Sequence, residues 1–310
     1  MILLIFTYII FYYNSNIMNI YDCFMYFDED LLLDLRLNIL SKYVKKFVIT
    51  ESTFLHSGKE KKLNFDFKKF KKFQDKIVYI IVDTPPPGIE KIDSNDSVLI
   101  KNKKILDNSL KRENNQRNKL FKGLDEASDN DLILSSDLDE IPNLSNFNFK
   151  NKITLFEQKV FYYKFNLMQP NFKWMGTRAC KKKQLKEFQW LRNVKSKSYP
   201  LWRLDTLFSN KRYMNVDIVR DGGWHFTSIK NPKDIFYKLS NFMHHLEFEY
   251  SGLTIKDMEK MVAEKKILYD HGVAQEDQKY TGRQSLIKTE NSVLPSYITE
   301  NLEKYKNWLE

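Results

Sequence analysis

The stretch Asn130-Asp-Leu-Ile-Leu-Ser-Ser-Asp-Leu-Asp-Glu-Ile-Pro142 concentrates the groups best suited to chemistry. Leu132, Ile133 and Leu134 are too few for a helix and read as a buried strand that delivers Asp137, Asp139 and Glu140 to its C-terminal edge. In open α/β sheets ligands bind at that edge. Side chains alternate along an extended chain, so Asp137 and Asp139 point the same way and place two hard oxygen ligands in one small volume. Such carboxylates repel unless a cation lies between them, which favours a divalent-metal site. The competing reading is that one of them caps a helix starting near Pro142.

Three further groups bear on that edge. A long helix over 106–126 has Leu110, Leu120, Phe121 and Leu124 as its apolar stripe. Arg112, Glu113, Gln116 and Arg117 project at the edge of that stripe as two i,i+4 pairs, either a buried ion network or a surface for phosphate. Arg36 falls inside the apolar arc of an earlier leucine-rich helix, where a guanidinium needs a carboxylate partner. Asp221-Gly-Gly-Trp-His-Phe226 holds His225 between aromatics, and beside an acidic pair it becomes a candidate third metal ligand.

The elements that must position these groups follow a βαβ rhythm, and the chain reads as α/β. A strand over 20–27 leads through a capping Asp28 to a helix with Leu31, Leu32, Leu35, Ile39 and Leu40. A strand over 46–51, a basic helix over 65–73 and a strand over 77–82 come next, then a polar stretch over 90–104 read as a mobile surface insertion. Beyond Pro142 the chain is rich in aromatics. Residues 153–165 read as one or two strands, Trp174-Met-Gly176 as a tight loop, and 199–207 and 214–219 as short strands. Helices over 232–250 and 254–269 and a tail over 294–309 complete it. Periodicity places His244 and His245 on the exposed side of the first of these helices.

The chain has 310 residues, 42% of them hydrophobic and 29% charged, enough for one large globular domain. Its net charge of +10 suits an anionic partner, but the lysines are diffuse and no nucleic-acid-binding signature accompanies them, so nucleic acid is not expected. Two cysteines, Cys23 and Cys180, cannot form a disulfide framework. Residues 2–13 are apolar but too short to span a bilayer as a regular helix. The extension 1–17 reads as a weak anchor, a truncated signal core, or translated upstream sequence with Met18 as the working start. A soluble cytoplasmic body is favoured, with membrane association or a Golgi-type lumen if 1–17 acts as an anchor.

With these motifs in hand, the chain resembles glycosyltransferase family 17, the family of the bisecting β-1,4-N-acetylglucosaminyltransferases, over residues 20–305. The likeness is carried by Tyr21-Asp-Cys-Phe-Met-Tyr-Phe27, Phe47-Val-Ile-Thr-Glu-Ser52, His56-Ser-Gly-Lys59, Arg112-Glu113 and Gln116-Arg117. Ser136-Asp-Leu-Asp-Glu-Ile-Pro142, Gly223-Trp-His-Phe226 and Leu294-Pro-Ser-Tyr297 complete it. The resemblance implies a GT-A-type mixed sheet flanked by helices with an acceptor-side lobe: one catalytic domain over 18–310, its nucleotide-binding half 18–142 and its acceptor half 143–310. It implies inverting transfer of N-acetylglucosamine from a UDP-sugar donor to a glycan or glycoprotein acceptor, β-1,4 to mannose, with a divalent metal, most commonly manganese.

On this reading Asp137, Asp139 and His225 hold the metal. Glu51, Arg112, Gln116, Arg117 and Asp137 contact the donor, and Trp174 and Trp224 offer faces to sugar rings. Asp221 is preferred as the catalytic base, with Glu140 and Glu247 behind it. Thr227 departs from the serine expected after Trp-His-Phe. Residues 241–247 match the family's Phe-His-Glu pattern only with a one-residue ambiguity, so neither histidine is carried over. The alternatives are a metal-dependent phosphohydrolase and a non-enzymatic basic module binding a polyanion or a membrane surface.

Overall fold

The early strands are continuous apolar runs, the composition of strands covered on both faces. In the computed structural model, which describes residues 18–195, 216–270, 279–280 and 282–310, β1 (Ile20–Met25), β2 (Lys46–Ser52), β3 (Ile77–Val82) and β4 (Leu132–Asp137) pair in parallel in the order β3-β2-β1-β4. The sheet continues through β7 (Leu167–Lys181), β6 (Ile153–Tyr162), β9 (Gly223–Thr227) and β5 (Glu140–Pro142). There β7 runs antiparallel to β4 and β6, while β9 runs parallel to β6. Two short strands, β8 (Val216–Val219) and β10 (Ile287–Lys288), pair with β6 and β7 off this path.

Helix α1 (Asp30–Leu40) buries Leu32, Leu33, Leu35 and Leu37 in a core that also takes Phe24, Phe47, Leu134 and Phe156. A second core, on Tyr21, Val48, Ile133 and Cys180, is closed by Leu120, Leu124 and α3 (Phe188–Arg192) beyond the long α2 (Val98–Asn118). A third joins β6 to α4 (Pro232–Leu239), α5 (His245–Ser251) and α6 (Ile255–Ala263) through Val160, Ile235, Phe248 and Met258. Cys23 and Cys180 are free and buried.

Several sequence expectations need correction. Residues 98–104 are the start of α2, not an insertion, because the Ser97 hydroxyl caps the helix by accepting from Ile100 N. The basic segment 65–73 is no helix. Its only regular element is a short 3₁₀ turn at Lys71–Lys76, since Glu51 pins the Asn64 and Phe65 amides and Phe65 stacks on Tyr79. No helix starts at Pro142. That residue ends β5, which pairs with β9 at a position where any side chain on Gly223 (φ 134°) would meet the Ile141 carbonyl at 2.2 Å.

The helix expected over 232–250 breaks after Leu239. There Ser240 Oγ and Asn241 Nδ2 bond the carbonyls of Phe236 and Tyr237, competing with the backbone ladder. The expected strand over 199–207 and the first two residues of the 214–219 strand lie outside the described residues, as does the extension 1–17. Trp174-Met-Gly176 is not a loop but the middle of β7. A Cβ on Gly176 would come 1.8 Å from Gln158 Oε1, on a buried side chain. Gly176→Ala is therefore expected to destabilise the fold by about 1–3 kcal/mol as an overpacking change. Urea unfolding measures this, and a wild-type midpoint would show that Gln158 moves aside freely.

Candidate functional site

A cavity of about 410 Å³ opens where β1 and β4 end, lined by Met25 to Phe27 on one side and Asp137 to Glu140 on the other. The position is that of ligand sites in open α/β sheets. Parallel pairing brings Met25 level with Asp137, and antiparallel pairing of β5 with β9 brings Glu140 level with His225.

The turn from β4 to β5 is built on Arg36. Its Nε and Nη2 donate to both Asp22 oxygens at 2.7 and 2.6 Å, and Nη1 donates to the carbonyls of Asp137, Leu138 and Glu140 at 3.2, 3.1 and 2.7 Å. The carboxylate that Arg36 requires is thus Asp22, and its free edge shapes the acidic turn. Both side chains are fully buried.

The acids on that turn have separate fates. Asp137 accepts from Arg117 at 2.8 Å and from Arg192 at 2.9 Å, while Arg117 also holds Glu113 at 2.7 Å. Burial alone would raise the Asp137 carboxyl, but Arg192 and Arg117 outweigh it and hold it far below the usual carboxylate range. Glu140, 1% exposed, accepts from Arg192, from Trp174 Nε1 at 2.6 Å and from the Asp137 amide at 2.9 Å. It is a strut with its lone pairs occupied.

Asp139 faces the cavity differently. One oxygen lies 3.6 Å from His225 Nε2 and the other 3.7 Å from Lys238 Nζ, which is held by Glu29 at 2.8 Å. Burial works against the Asp139 carboxylate, but Lys238 and His225 hold its pKa down. The His225 imidazole is pushed down by burial and lifted more by Asp139, for a net rise. His225 Nδ1 is buried, and among the described residues it has no hydrogen-bond partner.

Among the described residues no three His, Cys, Asp or Glu side chains form a metal cluster. The expected set Asp137, Asp139, His225 is not assembled, because Asp137 spends both oxygens on guanidinium groups. Asp139 and His225 remain. Their 3.6 Å gap is too long for a good hydrogen bond and within the span of two ligands each about 2.1 Å from one ion. Such a pair suits a hard cation that takes its remaining ligands from substrate phosphates and water.

Gln116 and Glu113 line the cavity as expected of their helix edge, but Arg112 turns away to the His56 carbonyl at 3.1 Å. Gln116 orients His56 at 3.1 Å. Glu51 is not at the cavity. It is fully buried beneath Lys61, the Asn64 and Phe65 amides and the Tyr79 hydroxyl, where it shapes a loop. Trp174 lines the cavity, its ring 5.5 Å from that of His225. Trp224 does not, since its indole N–H bonds the Val293 carbonyl at 2.7 Å.

The preferred base, Asp221, is 67% exposed and away from the cavity, paired with Lys159 at 2.8 Å and Lys173 at 3.4 Å. It occupies a tight turn at φ 47°; of the two glycines after it, Gly222 packs closely against Val219 and the β6 backbone at Glu157, and Gly223 serves the close β5–β9 approach. Glu247 stands behind His244, which does line the cavity. Sequence reasoning missed Arg192, Lys238 and His244. Arg192 lies on a helix of five residues, too short for periodicity, and the other two flank the unforeseen break after Leu239.

A family model described as glycosyltransferase family 17 matches residues 11–310. No curated protein matches the chain. Among the described residues no helix is long and apolar enough to cross a membrane.

Proposed function

The chain belongs to glycosyltransferase family 17, and from that premise we propose that it is an inverting enzyme which moves N-acetylglucosamine, or a related sugar, from a UDP donor to a glycan hydroxyl. As a glycosyltransferase it takes a sugar donor and a glycan acceptor. The finer reading joins two parts: a GT-A-type sheet, supported by the parallel order β3-β2-β1-β4 with its acidic turn directly after β4, and β-1,4 linkage to mannose, which rests on the family resemblance alone.

The observation that carries the proposal is the Asp139–His225 pair in a cavity beside Trp174 and below the two parallel strand ends. A divalent ion held by Asp139 and His225, manganese foremost, would supply charge stabilisation to the diphosphate leaving group. The protein's own contribution is positional. Lys238 keeps Asp139 ionised and turned inward, and Arg36 fixes the backbone that carries it. Glu140 locks the Trp174 indole by its N–H, which orients the ring as a platform for the apolar face of a sugar.

The test is UDP release from a panel of UDP-sugars, with and without a mannose-terminated acceptor, in manganese and in chelator. Acceptor-dependent release from one donor is expected, and release from none would overturn the proposal. In the same assay Asp221→Asn should stay within about twofold of the unaltered chain, the scale of an exposed substitution. A loss of orders of magnitude would return Asp221 to the chemistry.

A further inference from the structure

We propose that His244 is the general base of the transfer and that Glu247 is its positioning residue, an inference that rests on the transferase reading above. Inversion in one displacement needs a group that takes the proton of the attacking hydroxyl, within hydrogen-bond reach of it. Each acid in the cavity already faces a cation: Glu29 holds Lys238 at 2.8 Å, Glu113 holds Arg117 at 2.7 Å, Asp137 and Glu140 share Arg192, and Asp139 lies between His225 and Lys238. His56 Nε2 is engaged by Gln116 at 3.1 Å, and burial lowers its pKa.

His244 is arranged otherwise. Its Nδ1 lies 3.0 Å from Glu247 Oε1, and among the described residues its Nε2 has no hydrogen-bond partner. The carboxylate selects the tautomer with hydrogen on Nδ1, which leaves a lone pair on Nε2. The break after Leu239 produces this arrangement: His244 becomes the N-cap of α5, Glu247 stands on the first turn, and the ring comes to line the cavity. Glu247 is itself held by Lys279 at 3.7 Å. Phe242 packs its ring 5.7 Å from the imidazole.

In the step, the acceptor O–H proton passes to His244 Nε2 as the oxygen lone pair attacks the anomeric carbon. The bond from that carbon to the diphosphate oxygen breaks, and its electron pair leaves on the diphosphate. The imidazolium, about a third exposed, returns its proton to solvent. Products are the new glycoside and the nucleoside diphosphate.

His244→Ala is expected to lower kcat by about 10²–10⁴-fold, the usual contribution of a general base, with little change in donor KM. Added imidazole should restore part of that rate in His244→Ala and none in Asp139→Asn. Glu247→Gln should lower kcat by a smaller factor at unchanged donor KM. His244→Gln keeps a polar group against Glu247 and guards against a folding defect, and it should lose activity with an unchanged thermal midpoint. Wild-type kcat in either His244 variant, or a loss that imidazole does not relieve, overturns the inference while the transferase reading stands. Absence of turnover in the unaltered chain overturns both.

Discussion

Asp139→Asn is expected to lower turnover by about three orders of magnitude with the fold intact. The scale follows from losing several kcal/mol of charge stabilisation at the leaving group. The substitution removes the carboxylate between His225 and Lys238 and leaves the shape nearly unchanged. Lys238 keeps Glu29 as a partner at 2.8 Å, so no buried ammonium is stranded and the thermal midpoint should hold. UDP release and a circular-dichroism melt together measure this. Turnover near the unaltered level would remove Asp139 from the chemistry. Asp137→Asn predicts the opposite balance: it weakens two guanidinium contacts, so its melt should suffer along with its rate.

Arg36→Met is the largest expected loss of stability. It strands Asp22, fully buried, and leaves the carbonyls of Asp137, Leu138 and Glu140 without their donor. Breaking a buried pair by removing one partner costs about 3–5 kcal/mol, a large part of a domain's total stability. Urea unfolding reads the loss. The double variant Asp22→Leu with Arg36→Met should recover part of the stability, because two apolar side chains do not leave a lone charge in the core. It should not recover activity, since nothing then shapes the turn. Full activity in the double variant would mean that the turn holds its form without the guanidinium.

Much of this arrangement was legible in the sequence because it follows from local pattern. The run Leu132 to Leu134 with acids behind it is a strand delivering carboxylates to a sheet edge, as residue type and spacing require. Arg36 in an apolar arc demanded a buried acid, and Asp22 supplies it. The pairing of Arg117 with Glu113 was visible as an i,i+4 relation, although its second bond, to Asp137, depends on tertiary packing.

What escaped is what sequence distance hides. Alternation would give Asp137 and Asp139 one direction, but the strand ends at Asp137, Asp139 lies in the turn that follows, and Arg192, 55 positions away, claims Asp137. Asp221 was attractive for its neighbours in the chain, but the turn carries it to the surface beside Lys159 and Lys173. His244 looked exposed on an unbroken helix, and side-chain bonds from Ser240 and Asn241 break that helix.

The bonds from Arg36 to the acidic turn span 101 to 104 residues of chain, and this sets an order of events during synthesis. Contacts so far apart pay their loop-closure entropy before they gain anything, and they form late. An emerging chain can pair β1, β2 and β3 as soon as they appear, but β1 then shows a bare edge until β4 arrives to dock on it. That edge, Tyr21 to Met25, is apolar but for Asp22 and of the kind that recruits foreign strands. Asp22, second of those five residues, puts a charge into that strand, and a charged side chain there disfavours apolar strangers, so the acid that anchors Arg36 also suits an edge that waits for β4.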